Sequence, residues 1–428
     1  MSRTIKVEHL ARVEGEGALI IRMTGTKVEE VQLRIFEPPR FFEALLRGRA
    51  MDETPDITAR ICGICPVAYQ MSACHALEDA VGVKPNGWVR KLRRLLYCAE
   101  WIQSHCLHMF LLHAPDFLGY PDAISMSATH GPLVKRGLRM KKMGNDLMAA
   151  IGGRAVHPIN VKVGGFYRAP RRDELRVLIP EMTWARDAAV QSVMDFARFD
   201  FPELERNYEF VAMRNEAEYP LCEGRIVSNR GLDIDVHDYD DTFEERQVPH
   251  STALHSVIKE RDEYFCGPLA RVNLNFDYLR PVARDAAAAV GFRVPCNNPF
   301  KSLLARALEV VHAIDEALTL VEEYADSPRA TAEVVPKAGT GYGCTEAPRG
   351  ILFHRYTLDA DGLIADAKIV PPTSQNQRTI ESDLRAIAVR LASMPQEEAT
   401  WMAEQTVRNY DPCISCSTHF LTLRIDRH

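Results

Sequence analysis

Residues Trp88 to Leu118 read WVRKLRRLLYCAEWIQSHCLHMFLLHAPDFL. Apolar side chains recur along this stretch at helical spacing and its only proline, Pro115, stands near the end, which predicts one helix of about thirty residues. A helix of that length belongs in a bundle core. Helical spacing returns over Pro132 to Ile151, Arg172 to Phe196 and Phe300 to Tyr324, segments long enough to pack along their lengths. The flanking sequence reads differently. Residues 4 to 36 alternate apolar and polar positions around turn residues, which predicts an N-terminal antiparallel hairpin. Ile351 to Val370 predicts another, turning at Asp359-Ala360-Asp361-Gly362. Residues 200 to 280 are richer in Pro, Asp and Tyr and carry short strand-like runs. The expected architecture is α+β, a central long-helix bundle with small peripheral antiparallel sheets. The chain shows no internal repeat and no linker, so one compact unit is expected rather than the three domains that 428 residues would allow.

Composition narrows the function classes. With 46% hydrophobic and 26% charged residues the chain is an ordinary globular sequence, which excludes long disorder and low-complexity architecture. The net charge is −6 and the densest basic cluster is the short Arg136 to Lys142 stretch, so no broad basic stripe points to nucleic acid. No run approaches the roughly 18 apolar residues of a membrane-spanning helix. Met1 to Lys6 leads into no apolar signal region, and the Arg93-Arg94 and Arg171-Arg172 pairs are internal, so no export signal is expected. Eleven cysteines without an export signal fit a reducing compartment, the cytoplasm, where thiols serve as metal ligands, nucleophiles or core residues.

Four of those cysteines form two C-x-x-C pairs, Cys62-Gly63-Ile64-Cys65 and Cys413-Ile414-Ser415-Cys416. Each turn lets two thiolates converge, so two turns can supply a four-sulfur site for zinc, iron or another thiophilic metal. Structural zinc is the plainest reading, and a single pair could also be a redox dithiol. Pro66 suits the first turn of a helix running through Ala68 to Ala80. Cys74, Cys98, Cys106, Cys222, Cys266, Cys296 and Cys344 have no ligand spacing and read as buried apolar filling. His105, His108 and His113 lie on the long helix, where a hydrogen-bonded core role is favoured over proton carriage.

The flanks of the two pairs are more specific. Arg60-Ile61-Cys62-Gly63-Ile64-Cys65 and Asp411-Pro412-Cys413-Ile414-Ser415-Cys416-Ser417-Thr418-His419 resemble the R-x-C-G-x-C and D-P-C-x-x-C-x-x-H motifs of the nickel-iron hydrogenase large subunit. The resemblance continues in family order at Arg12-Val13-Glu14-Gly15, Gly152-Gly153-Arg154-Ala155-Val156-His157-Pro158, Glu346-Ala347-Pro348-Arg349-Gly350 and Pro372-Thr373-Ser374-Gln375-Asn376. Glu43 falls where the family has a carboxylate ligand for a divalent ion near the C-terminus. The chain departs from many members at Glu16, Tyr69 and Ser104, where they carry His, His and, in some, Asp. Tyr69, its C-P-V-A-Y-Q context and the compact length are most similar to the cytoplasmic NAD(P)-linked branch, also called the sulfhydrogenase alpha subunit.

The resemblance implies that Cys62, Cys65, Cys413 and Cys416 hold nickel, with Cys65 and Cys416 bridging to an iron that carries carbonyl and cyanide. It implies reversible heterolytic cleavage of H2, in which a terminal thiolate, Cys413, takes the proton and Glu14 relays it. Arg349 would place a guanidinium over the open metal position and orient Asp411; Pro348 and Thr373 would line the cyanide pocket. Glu43 and His419 would bind a structural ion, magnesium, or iron since imidazole suits magnesium poorly. A maturation endopeptidase would remove residues 420 to 428 after His419, leaving residues 1 to 419 as the catalytic unit. The chain has no further cysteine cluster for iron-sulfur centres and no G-x-G-x-x-G dinucleotide turn. An iron-sulfur small subunit, and flavin and NAD(P) subunits beyond it, would therefore carry the electrons. The competing reading is a four-cysteine zinc protein acting as an assembly or binding module. The quinone-site subunit of respiratory complex I has a similar fold but lacks the four ligand cysteines.

Overall fold

The computed structural model describes residues 2 to 326 and 330 to 418. Strands β1 (Ser2–Val7), β2 (Gly17–Thr24) and β3 (Lys27–Ile35) form an antiparallel sheet in that order. The expected N-terminal hairpin is thus three-stranded. One face of it, with Ile5, Leu19, Ile21 and Leu33, is buried against the helices, as the period-two alternation requires.

Helix α1 (Pro66–Val81) begins directly on Cys65, with Pro66 in the first turn, and ends at Gly82, φ 69°. Helix α2 (Gly87–Cys106) is capped by Asn86, whose side-chain oxygen accepts from Val89 N at 2.9 Å. The single long helix expected to reach Leu118 is interrupted. A π-helical segment occupies Leu107–His113 and a short α-helix follows over Ala114–Leu118. Pro115 gives no N–H to the preceding turn, and Arg12 donates from Nη1 to the Leu112 carbonyl at 2.8 Å, so tertiary contacts use carbonyls a regular helix would bond internally.

Helix α3 (Ala123–Gly152) starts nine residues before the expected Pro132 and bends at His130, two residues before that proline. The expected Arg172–Phe196 helix is split into Arg172–Arg176 and α4 (Ile179–Phe196), the second opening with Pro180 in its first turn. Helix α5 (Ser302–Glu322) packs with α2 and α4 in the centre of the bundle. The segment between α4 and α5 holds a four-stranded sheet in which Phe210–Arg214 pairs parallel with Phe265–Cys266, one exception to the expected antiparallel pairing.

The C-terminal hairpin also gains a strand. Strands β4 (Gly339–Ala347), β5 (Gly350–Leu358) and β6 (Ile364–Val370) run antiparallel in sequence order. A Cβ at Gly341 would stand 2.1 Å from the Ala76 carbonyl oxygen, so the glycines of β4 let the strand lie directly on α1. Helices α6 (Pro372–Ala392) and α7 (Gln396–Arg408) lead to the second cysteine pair. One hydrophobic cluster runs from Ile5 through the bundle to Cys416. Among the described residues no helix is long and apolar enough to cross a membrane.

Candidate metal centre

Cys62 and Cys65 close the turn before α1, and Cys413 and Cys416 close the turn after α7. The four sulfurs lie within 4.8 Å of one another and all four side chains are buried. Sγ–Sγ separations are 3.6 Å for Cys62–Cys413 and 3.8 Å for Cys65–Cys416. Four sulfurs at about 2.3 Å from one ion stand about that far apart. The N–H groups of Ile64 and Cys65 both point at Cys62 Sγ, at 3.3 and 3.2 Å. Burial pushes the Cys65 and Cys413 thiols well up. Burial also opposes ionisation of Cys62, but hydrogen bonds from Cys413, Cys416 and Cys65, with the Arg349 charge, bring it well below the usual thiol value. Four buried thiolates would be sustained by a bound cation rather than by the protein's own charges.

Beside the sulfurs is a small enclosed cavity lined by Tyr69, Ala347, Arg349, Leu352, Pro372 and Thr373. Arg349 reaches it from the β4–β5 turn. Its Nε donates to the Asp411 carbonyl at 2.6 Å and its Nη2 to Asp411 Oδ1 at 3.2 Å. Burial opposes the guanidinium charge, yet Asp411 and the thiols outweigh it and hold Arg349 protonated. Asp411 has φ 51°, a left-handed conformation that Asp tolerates, and burial raises its carboxyl above the usual range. Thr373 Oγ1 accepts from Cys413 N at 3.0 Å. Arg349 Nη1 and Tyr69 Oη are buried without a protein partner. Those donors beside an apolar space fit a metal group bearing acceptor ligands. Pro348 does not line the cavity; its carbonyl accepts from Arg271 Nη2 at 2.9 Å, and the lining proline is Pro372.

Glu14 arrives from the segment between β1 and β2. Cys413 Sγ donates to its Oε2 at 3.0 Å and Ser415 N donates to the same oxygen at 3.1 Å. The carbonyl of Glu14 accepts from Ile414 N at 2.9 Å, which fixes the two segments in a short parallel bridge. Gly15 has φ 87°, and a Cβ there would meet Glu37 Oε1 at 2.5 Å and Ile414 Cβ at 2.8 Å, so only glycine fits. Glu37 Oε1 accepts from Ser415 Oγ at 3.2 Å and from Glu16 N at 2.7 Å.

Glu43 is apart from this cluster. Its Oε1 accepts from Ile369 N at 2.7 Å, and burial raises its carboxyl to about 7. Half-buried Glu245 lies close enough to Glu43 for the two charges to repel, and Lys368 offsets them. His419, expected as the second ligand there, and residues 420 to 428 lie outside the described residues. His105, His108 and His113 are buried, as expected, but the expected hydrogen bonding is uneven: His108 Nε2 is 2.8 Å from the Arg408 carbonyl and His105 Nε2 is 3.0 Å from Glu309 Oε2, whereas neither ring nitrogen of His113 has a hydrogen-bond partner.

Three supporting residues were not singled out in the sequence. Glu100, on α2, accepts from Val67 N at 2.6 Å and Ala68 N at 3.1 Å, capping α1 just after Cys65. A charged residue amid the apolar face of α2 was its one signal. Arg271 is fully buried and donates to both Glu309 oxygens, to Glu346 Oε2 at 2.9 Å and to the carbonyls of Ala347 and Pro348 at 2.9 Å. It fixes the turn that carries Arg349. Arg40 donates to the Ile61 carbonyl at 2.7 Å and to the Ser415 carbonyl, joining the two cysteine turns. Arg271 and Arg40 carry no local sequence signal.

The family model for nickel-dependent hydrogenases matches residues 40–131 and 280–419, more than half of the chain. The alpha subunit of sulfhydrogenase 1 of Pyrococcus furiosus is 35% identical over 425 residues, covering 98% of each chain. The beta subunit of the NAD-reducing hydrogenase HoxS of Cupriavidus necator is 29% identical, over 98% of this chain and 96% of its own. Among solved structures, an NAD+-reducing NiFe-hydrogenase in the H2-reduced state superposes with TM-score 0.90 at 28% identity, covering 97% of this chain and 99% of that one. The Ni-Fe-Se hydrogenase of D. vulgaris Hildenborough shares the fold, with TM-score 0.78 at 21% identity over 98% of this chain and 100% of that one. The chain belongs to the nickel-dependent hydrogenase family. It is a catalytic subunit of that family, and its four-cysteine cluster is the site rather than a structural zinc centre.

Proposed function

We propose that this subunit cleaves H2 reversibly at a nickel-iron pair held by Cys62, Cys65, Cys413 and Cys416, with carbonyl and cyanide on the iron. When bound, that pair supplies the electrophilic site that polarises H2. The observation that carries the reading is the contact of Glu14 Oε2 with Cys413 Sγ at 3.0 Å beside the sulfur cluster. Cys413 Sγ takes the proton and Glu14 Oε2 accepts it, the short separation allowing transfer without an intervening water. Ser415 and Glu37 continue toward the surface. Arg349 holds a fixed positive charge and a free Nη1 at the cavity, and Asp411 keeps its fork in place. Thr373, Ala347 and Pro372 shape the cyanide pocket.

Glu43 and His419 would hold magnesium, or iron, as a structural ion. Residues 1 to 419 would form the mature catalytic unit after an endopeptidase removes residues 420 to 428. Electrons pass to an iron-sulfur small subunit and, by likeness to the NAD-reducing relatives, through flavin subunits to NAD(P) in the cytoplasm. Val156, Ile159 and Tyr167 are 51%, 53% and 63% exposed next to the Cys62 turn, where His157 Nδ1 is 2.7 Å from the Ala59 carbonyl. That apolar patch is the proposed small-subunit face.

The test is H2/D2 exchange by the purified complex together with its nickel content. Exchange with one nickel per chain is expected; a zinc-loaded, exchange-inactive complex from a host that matures hydrogenases would reject the reading.

A further inference from the structure

A second set of metal-ligating side chains lies away from the sulfur cluster. His250, His255 and Glu381 each bring one ligand atom to within 4.8 Å of the others. His255 opens the strand His255–Ile258, His250 stands in the loop before it, and Glu381 is on α6. His250 Nε2 is 2.8 Å from Glu381 Oε1, and the two imidazole rings are 5.7 Å apart at 80°.

His255 is the informative member. It is 2% exposed, and neither of its ring nitrogens has a hydrogen-bond partner. A buried imidazole with both nitrogens unpaired is expensive and calls for a partner; His113 shares this feature, but of the two only His255 has a second imidazole and a carboxylate within ligand distance. Glu381 Oε1 also accepts from Leu33 N at 2.9 Å, the kind of outer contact that aims a ligating carboxylate. Arg378, whose charge reaches both His255 and Glu381, is paired with Asp262 at 3.2 Å.

We propose that His250, His255 and Glu381 bind one divalent transition ion of the zinc class, with water completing a four-coordinate shell. Two imidazoles and a carboxylate are a ligand set such ions take, whereas magnesium and calcium select oxygen. Ligand atoms on one tetrahedral zinc stand about 3.4 Å apart, so the His250–Glu381 contact opens slightly to admit it. The ligands come from the loop before His255, the strand His255–Ile258 and α6, and Leu33 of β3 holds Glu381. Thr252 N in that loop donates to the Ile35 carbonyl at 2.8 Å, and Ala253 packs with Ile35 and Ile414. Ile414 lies in the turn between Cys413 and Cys416. The ion therefore braces the turn that carries half of the sulfur ligands and takes no part in electron transfer.

The test uses the purified holoenzyme complex, stripped of loose metal with a chelator and then equilibrated with zinc chloride at micromolar free zinc. The expected result is one zinc per chain beyond the nickel. X-ray absorption at the zinc edge should show only nitrogen and oxygen neighbours at about 2.0–2.1 Å, with two imidazoles. His255→Phe and Glu381→Gln should each lose that zinc while keeping their nickel. Sulfur around the zinc, a single imidazole, or zinc retained in His255→Phe would overturn the proposal, as would no uptake by the wild-type complex. The absorption spectrum of the wild type decides even if a variant fails to fold. Nickel retained without zinc uptake rejects this site and leaves the hydrogenase reading standing.

Discussion

The carboxylate of Glu14 and the thiol of Cys413, 399 residues apart in the chain, stand 3.0 Å apart at Oε2 and Sγ. Nothing in the local sequence of either brings them together. The contact depends on Gly15, which lets the backbone of the N-terminal segment run beside Ile414, and on the N–H of Ser415, which holds the same oxygen.

Replacing Glu14 with Gln keeps the size and the acceptor oxygen but removes the titratable carboxylate. Nickel content should be unchanged while H2/D2 exchange falls by about two orders of magnitude or more, in the range that loss of a positioned acid-base group brings. Exchange at the wild-type rate would reject the relay.

Arg349→Lys retains the charge but not the planar fork that engages the Asp411 carbonyl and carboxylate together. Exchange should fall by about 10²-fold, in line with losing one preorganised donor. Nickel should be retained. Near-normal exchange would show that charge alone suffices.

Tyr69 is the residue that departs from the histidine of many relatives, and its buried hydroxyl faces the cavity without a protein partner. In Tyr69→Phe the infrared bands of the diatomic ligands should shift relative to wild type, because a donor to them has gone. Superimposable spectra would mean that the hydroxyl does not touch the ligands.

Arg271 is fully enclosed by Glu309, Glu346 and two carbonyls. Arg271→Met leaves the two carboxylates buried without their cation, and a loss of about 3–5 kcal/mol is expected, as when one partner of a buried pair is removed. Chemical denaturation of the isolated variant and wild type checks this.

Acid should destabilise the fold through its buried histidines. Burial pushes His105 down to about 4, and burial with the nearby arginines pushes His108 and His113 well below their ordinary value of 6.5. The unfolded chain binds these protons below about 6.5 and the folded chain does not, so stability present at neutral pH is lost as pH falls. Each histidine contributes a slope of up to about 1.4 kcal/mol per pH unit over that window. The melting temperature should drop steeply between about pH 6.5 and pH 5, and less steeply in His105→Gln.

Much of this was legible in the sequence for physical reasons. Helical spacing marked the bundle, alternation marked β2 and β3, and the Asp359 to Gly362 turn marked the hairpin of β5 and β6. The cysteine pairs had to converge if they shared an ion, and they do. The π segment after Cys106 was hidden because it is set by Arg12 and Pro115 acting on its carbonyls, which periodicity does not register. Strand β4 was hidden because its glycines have low strand propensity, yet their lack of Cβ is what seats the strand on α1. Glu100, Arg271 and Arg40 act through contacts made only in the folded chain, and no spacing rule identifies such residues.

The most direct measurement is an infrared spectrum of the complex purified from a host that matures hydrogenases. Metal-bound carbonyl and cyanide stretches are predicted, together with nickel at one per chain. A fully matured complex with no such bands, holding a single zinc on Cys62, Cys65, Cys413 and Cys416, would contradict the reading of this cluster as a nickel-iron site.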